Sequence, residues 1–351
     1  MLCLLGQHSA SRAQQSSRYG PVGPSSGKSA FHLLSSPRLV IISGLSDSKR
    51  RIRIGPAGWS YPDWKGKVFP VKKARGFHEA AYLAGFFDTI EINTSFYAPP
   101  RAESARDWVR QVESNQNFRF TAKLFRRFTH ERDASTDDER AFKEGIAPIA
   151  DAGRLGALLL QFPWSFKNTP EKRDYMAALC QRFKEYPLVV EVRHASWNQP
   201  EALEMFQEMG VGICNIDQPV IGRSIAPAEH VTAPIGYVRL HGQNYKNWFS
   251  AEQTEERYNY LYSLEELEPW AARVKHILDS AETVYVIANN HFEAKALVNA
   301  IQLGVLIFGV RVRAPEMLIT NYPQLKAVTV EEELMASQGQ AELFPCREKL
   351  R

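Results

Sequence analysis

From Arg51 onward the chain alternates short apolar, β-branched runs with longer stretches whose apolar positions recur at helical spacing. Eight runs read as strands: 51–55, 89–93, 118–123, 157–161, 188–193, 211–217, 237–241 and 284–289. Each ends in polar and aromatic residues and leads into an amphipathic helical stretch. Two helices open on capping boxes, Thr136-Asp137-Asp138-Glu139 and Ser263-Leu264-Glu265-Glu266, a hydroxyl residue followed three positions later by Glu. Strands alternating with helices predict a parallel sheet. Eight such units in about 280 residues predict an α/β fold, a single closed (β/α)8 barrel of the TIM type. A doubly wound open sheet would carry a Gly-rich phosphate turn after its first strand, and no G-x-G-x-x-G or G-x-x-x-x-G-K is present.

Reacting groups in such barrels sit at the C-terminal strand ends and in the loops beyond them. Polar residues collect there. A period of two puts Glu91 with Asn93 on one face of the second strand. The same spacing pairs Thr121 with Lys123, Glu191 with Arg193, Asn215 with Asp217, Arg239 with His241, and Asn289 with His291, while the fourth strand adds Gln161. Faces turned into the barrel mouth make one ring of acids, bases, amides and imidazoles. Burying so many polar groups without a use is destabilising by several kcal/mol. Five tryptophans, Trp59, Trp64, Trp164, Trp197 and Trp248, follow predicted strands, and Tyr61, Phe96 and Tyr97 join them. Flat rings around a polar ring suit a sugar or a nucleobase. Trp108 and Trp270 fall in helices and read as packing.

The composition is that of a globular protein, 44% hydrophobic and 23% charged, with no apolar run long enough to span a bilayer. A net charge of +4 suggests a nucleic-acid partner until it is located. Residues 1–50 carry six bases and one acid, and the remainder 37 bases against 38 acids. The body is neutral. Residues 1–46 lack Asp and Glu, are rich in Ser, Gly, Pro and Gln, and read as a disordered basic extension, either an organelle transit peptide or a leader from an upstream start codon. The cysteines, Cys3, Cys180, Cys214 and Cys346, are far apart with no C-x-x-C, as for reduced thiols in a cytoplasmic setting rather than a zinc site.

The loop sequences resemble the YecE-like family, a domain of unknown function. The matching stretches are Ile54-Gly55-Pro56-Ala57-Gly58-Trp59-Ser60-Tyr61-Pro62-Asp63-Trp64, residues 87–97 (FDTIEINTSFY), Leu160-Gln161-Phe162-Pro163, residues 191–197 (EVRHASW), Val238-Arg239-Leu240-His241-Gly242 and Asn289-Asn290-His291. They occur in family order across roughly 51–325, leaving 1–50 and a tail at 326–351 outside. The resemblance implies a TIM-type barrel and a set of signature polar positions: Glu91, Asn93, Lys123, Gln161, Glu191, Arg193, Arg239, His241, Asn290 and His291. It implies no reaction. Where the family often has an aromatic residue or Thr, this chain has Ala288, a departure expected to widen the pocket.

Three functions compete. The first is an enzyme using acid/base chemistry on an anionic or polyhydroxyl substrate, phosphorylated, sugar or nucleotide-like. Glu91, Lys123, Glu191 and His241 are its catalytic candidates, and Asn93, Tyr97, Gln161, Arg193, Trp197, Arg239, Asn290 and His291 its binding residues. A glycosidase version needs the two Glu carboxylates roughly 5–9.5 Å apart. The second is a divalent-metal hydrolase or isomerase of the endonuclease IV or xylose isomerase type, with ligands from Glu91, Glu191, Asp217, His241 and His291. Against it stand the absence of H-x-H and H-E-x-x-H and the three cations in the ring. The third is a nucleic-acid-binding module using Lys72-Lys73 and Arg126-Arg127 with loop aromatics.

Overall fold

A computed structural model describes residues 52–246, 248 and 256–330; the predicted extension at 1–50 lies outside them, as does the predicted tail at 326–351 except for 326–330, where Val328 and Thr329 are buried. Eight parallel strands, β1 (Ile52–Pro56), β2 (Thr89–Ile92), β3 (Arg119–Lys123), β4 (Leu155–Gln161), β5 (Leu188–Glu191), β6 (Gly212–Asp217), β7 (Ile235–Leu240) and β8 (Thr283–Ala288), form one sheet. Helices α1 (Glu79–Ala84), α2 (Ala102–Gln111), α3 (Thr136–Asp151), α4 (Pro170–Arg182), α5 (Pro200–Glu208), α6 (Leu264–Ser280), α7 (Lys295–Phe308) and α8 (Glu316–Asn321) are interleaved or follow. The predicted TIM-type architecture holds, with three differences of detail.

One helix is missing. Residues 218–234 run from β6 to β7 without one among the described residues. This segment carries Pro219, Pro227 and Pro234, which remove backbone donors and disfavour helix at the preceding residues. It is tied down instead by Asn215, which exchanges hydrogen bonds with His230 backbone (2.9 and 2.8 Å), and by the Thr232 hydroxyl, which donates to the Val211 carbonyl. A second difference is one residue of register at α3. The N-cap is Ser135, boxed with Asp138, because Ser135 holds the extended backbone that a cap requires. The box at Ser263 and Glu266 stands as predicted.

The third difference is the closure. A ladder joins β1 to β8 across five residue pairs, and each later neighbour pair down to β2–β3 has its own ladder. Between β1 and β2 there is one bridge, Ala57 opposite Glu91, with the Gly58 amide donating to the Glu91 carbonyl at 2.8 Å. The strands run close there: a Cβ on Gly55 would fall 1.8 Å from the Thr89 carbonyl oxygen, so only glycine fits. The buried Thr89 hydroxyl beside it has no partner among the described residues.

Side chains fill the interior in layers, as barrels of this size require. Tyr285 reaches across to Gly156 of β4, and Arg53 lies over its ring at 5.7 Å. Above it the Tyr237 hydroxyl donates to Glu91 Oε2 (3.0 Å) and lies 2.9 Å from Thr121 Oγ1. Cys180 and Cys214 are free and buried. Among the described residues, no helix is long and apolar enough to cross a membrane.

Candidate active site

The C-terminal strand ends carry a charged floor built around one side chain. Arg239, from β7, is fully buried. Its Nη2 donates to Glu91 Oε1 (2.7 Å) and Asn289 Oδ1 (3.2 Å); its Nη1 donates to Glu191 Oε2 (2.6 Å) and Gln161 Oε1 (3.1 Å). One planar fork thus ties together β2, β4, β5, β7 and the end of β8, a task that suits guanidinium geometry. Its Nε has no partner among the described residues. Glu191 also accepts from Arg193 Nε at 2.8 Å and lies 3.4 Å from His241 Nε2. Burial alone would raise the Glu191 pKa, but Arg239, Arg193 and His241 carry it well below the carboxylate range. His241 Nδ1 lies 2.9 Å from Asn289 Nδ2, which donates, so the imidazole is neutral with its proton on Nε2. Burial holds its pKa at about 3, against the pull of Glu191.

Two carboxylates and two guanidinium groups balance, and Lys123 is the surplus charge. Its backbone is pinned, the amide donating to Ser95 Oγ (3.2 Å) and the carbonyl accepting from that hydroxyl (2.7 Å). Its ammonium lies 4.6 Å from the Phe96 ring centroid and has no hydrogen-bond or ion-pair partner among the described residues. Burial and the Arg239 charge press its pKa down to about 8, against Glu91 and Glu191.

Above this floor the mouth opens as two lobes that share Tyr258. The larger, about 650 Å³, has aromatic walls (Trp59, Tyr61, Tyr97, Trp108) and a polar base (Asn93, Lys123, Asn289, His291). Trp59 meets Trp108 edge-on at 5.4 Å, and Tyr61 stacks on His291 at 4.3 Å. Asn93 donates to the Tyr61 hydroxyl (3.1 Å), leaving its buried Oδ1 without a partner among the described residues. The smaller lobe, about 230 Å³, is lined by His130, Gln161, Trp164, Arg193, Trp248 and Arg257, among others. Arg257 lies 5.8 Å over the Trp248 ring, and its buried Nε has no partner among the described residues.

The sequence-predicted residues therefore divide. Asn93, Tyr97, Lys123, Gln161, Arg193 and His291 line the mouth. Glu91, Glu191, Arg239 and His241 lie beneath it, fully buried. Trp197 and Asn290 stand behind the wall. Trp197 donates to the Phe166 carbonyl and stacks on that ring, while Asn290 donates to the Tyr260 carbonyl and Asn299. Asn215 and Asp217 face outward, Asp217 held by Tyr262 and Gln243, because Cys214 and Ile216 take the inward face of β6. Ala288 likewise alternates with the inward Ile287 and Asn289, so it cannot widen the mouth. Trp108 is a cavity wall rather than packing. Asn289, Trp108, His130, Arg257 and Tyr258 complete the site; of these only Asn289 carried a strand-spacing signal.

The metal ligand set does not assemble. Glu91 and Glu191 are committed to Arg239, Asp217 faces away and His291 is stacked on Tyr61. Among the described residues no three His, Cys, Asp or Glu side chains converge on one point. Of the basic pairs, Arg126 faces Glu131, Arg127 faces Asp133 and Asp138, and Lys73 faces Glu79.

Burial first, then Arg193 and Lys123, holds His130 at a pKa of about 4, and burial holds His291 at about 4. An unfolded histidine takes its proton near pH 6.5. Between pH 6.5 and 4 the unfolded chain thus binds more protons than the folded one, and stability falls as pH falls. Urea denaturation in steps across that range is expected to show the loss. His130→Gln is expected to make it shallower by about one proton; an unchanged slope would contradict the assignment.

The family model described as "Protein of unknown function DUF72" matches residues 53–314. The UPF0759 protein YunF of Bacillus subtilis (strain 168) is 28% identical over 272 residues, covering 72% of this chain and 93% of that protein. A crystal structure of a DUF72 family protein from Thermotoga maritima MSB8 is 31% identical with a TM-score of 0.62, covering 72% of this chain and 97% of that one. Another, from Enterococcus faecalis V583, is 27% identical with a TM-score of 0.65, covering 73% and 95%.

Proposed function

This chain belongs to the DUF72 family of proteins of unknown function, and from that premise we propose that it is an enzyme using proton transfer on a small anionic, ring-bearing molecule held in the barrel mouth. The observation that carries the reading is Lys123: a part-buried ammonium without a partner among the described residues, at the base of an aromatic-walled cavity. A group with a pKa of about 8 exchanges protons readily near neutral pH. Trp59 and Trp108 offer faces to a sugar ring or nucleobase, and Arg193 with Arg257 offers donors to a phosphate or carboxylate in the adjoining lobe. Glu91 and Glu191 hold Arg239 and the floor rather than meeting substrate. Their engagement with Arg239 counts against the glycosidase version and against a metal held by these carboxylates.

Calorimetric titration of the full chain with adenosine 5′-monophosphate tests the reading. Binding is expected, and Trp59→Ala is expected to weaken it about tenfold or more through loss of a stacking face. Arg257→Ala is expected to weaken it to a similar degree, and adenosine without the phosphate to bind less well. Affinity indifferent to both substitutions, or no binding of this nucleotide or of ribose 5-phosphate at millimolar concentration, would sink the proposal.

A further inference from the structure

We infer that Lys123 forms an iminium with its ligand, so that the mouth takes an aldehyde or ketone carrying a phosphate or carboxylate. The inference rests on the reading of the mouth as a small-anion site and names the functional group that meets the lysine. Four observations carry it. The floor is already neutral without Lys123, each buried carboxylate facing Arg239, so no carboxylate is committed to keeping the amine protonated. The backbone of Lys123 is clamped by Ser95 while its side chain reaches the cavity, which fixes the direction of approach. The Phe96 ring crowds the ammonium and keeps solvent from one side of it. The fourth is the unpaired Asn93 Oδ1 in the same cavity, an acceptor for the hydroxyl of a tetrahedral adduct or for an iminium N–H.

The step balances within the site. The Lys123 ammonium gives one proton to water, and the freed amine is the nucleophile. Its lone pair forms a C–N bond to the carbonyl carbon, and the carbonyl oxygen takes a proton from the nitrogen to become a hydroxyl. The proton released to water then returns to that hydroxyl, which leaves as water as the nitrogen lone pair closes the C=N bond. Ammonium and carbonyl have become iminium and water, with no oxidant or reductant required. The depressed pKa supplies free amine near neutral pH.

Pyridoxal 5′-phosphate is a suitable probe, joining a flat ring, an aldehyde and a phosphate. The full-length protein is incubated with it, reduced with borohydride and peptide-mapped, beside a parallel titration with adenosine 5′-monophosphate, which has no carbonyl. Lys123 is expected to be labelled at least tenfold faster than the exposed lysines, with half-maximal rate near pH 8 and suppression by the nucleotide. Lys123→Arg is expected to abolish labelling at that position only. Labelling spread over surface lysines with Lys123 no faster than they are overturns the inference. If the nucleotide still binds in that case, the small-anion reading survives and only the iminium falls; if it does not bind, both fall. The wild-type rate comparison needs no variant, so a misfolded Lys123→Arg protein leaves the test intact.

Discussion

Replacing Arg239 with methionine is expected to destabilise the barrel by about 3–5 kcal/mol, the cost of leaving buried charge without its partner. Methionine fills much of the same volume, so the loss is electrostatic rather than a cavity effect. Glu91 and Glu191 are both fully buried and both bonded to this guanidinium. Arg193 still faces Glu191 after the change, whereas Glu91 keeps only the Tyr237 hydroxyl. Urea denaturation at pH 7 gives the number. In a Glu91→Gln, Glu191→Gln background the same replacement is expected to cost much less, since the charges it would strand are gone. A loss below about 1 kcal/mol in the wild-type background would mean that the three charges are not buried together.

Lys123→Met is expected to act in the opposite direction. The folded chain holds this amine at a pKa of about 8 against an ordinary 10.5. Below pH 8 both states are protonated and the folded state bears the full penalty. Between pH 8 and 10.5 the unfolded chain binds the extra proton, so wild-type stability rises with pH across that window. Removing the amine is expected to raise stability at pH 7 by up to about 3 kcal/mol and to flatten that rise. Denaturation midpoints from pH 6 to 10.5 read both effects together. A variant less stable than wild type at pH 7 would show that the ammonium has a stabilising partner after all. A residue whose removal strengthens the fold is kept for what it does to something else.

The barrel itself was legible because its two periods are local: alternation along each strand and recurrence along each helix are written in neighbouring residues. Strand-end spacing also carried Glu91, Lys123, Glu191, Arg193, Arg239 and His241 to the right end of the barrel. It could not separate floor from lining, since that depends on five strand ends converging on Arg239, a distance no spacing encodes. Asn215 and Asp217 had the same spacing as the others and face outward, because a period of two fixes which residues share a face but not which face is inside. Trp108 looked like packing for a related reason: a helical position tells which stripe a ring occupies, not that its stripe hangs over the mouth. Tyr258 and Arg257 sit in a 3-10 turn (Glu256–Tyr258) well past the end of β7, without the spacing signal of a strand end. The missing sixth helix was written in three prolines.

A hoop with one weak stave gives at that stave. The single bridge between Ala57 and Glu91 is that place, and the same Glu91 that closes it with its carbonyl grips Arg239 with its carboxylate. Trp59 and Tyr61 follow the bridge on one side, and Asn93 and Tyr97 on the other, all facing one cavity. A molecule lodged between them would therefore span the slit as a cleat spans two planks. The enclosure would be tightest when full, and its easiest motion when empty would be a parting of β1 from β2 directly beneath the entrance.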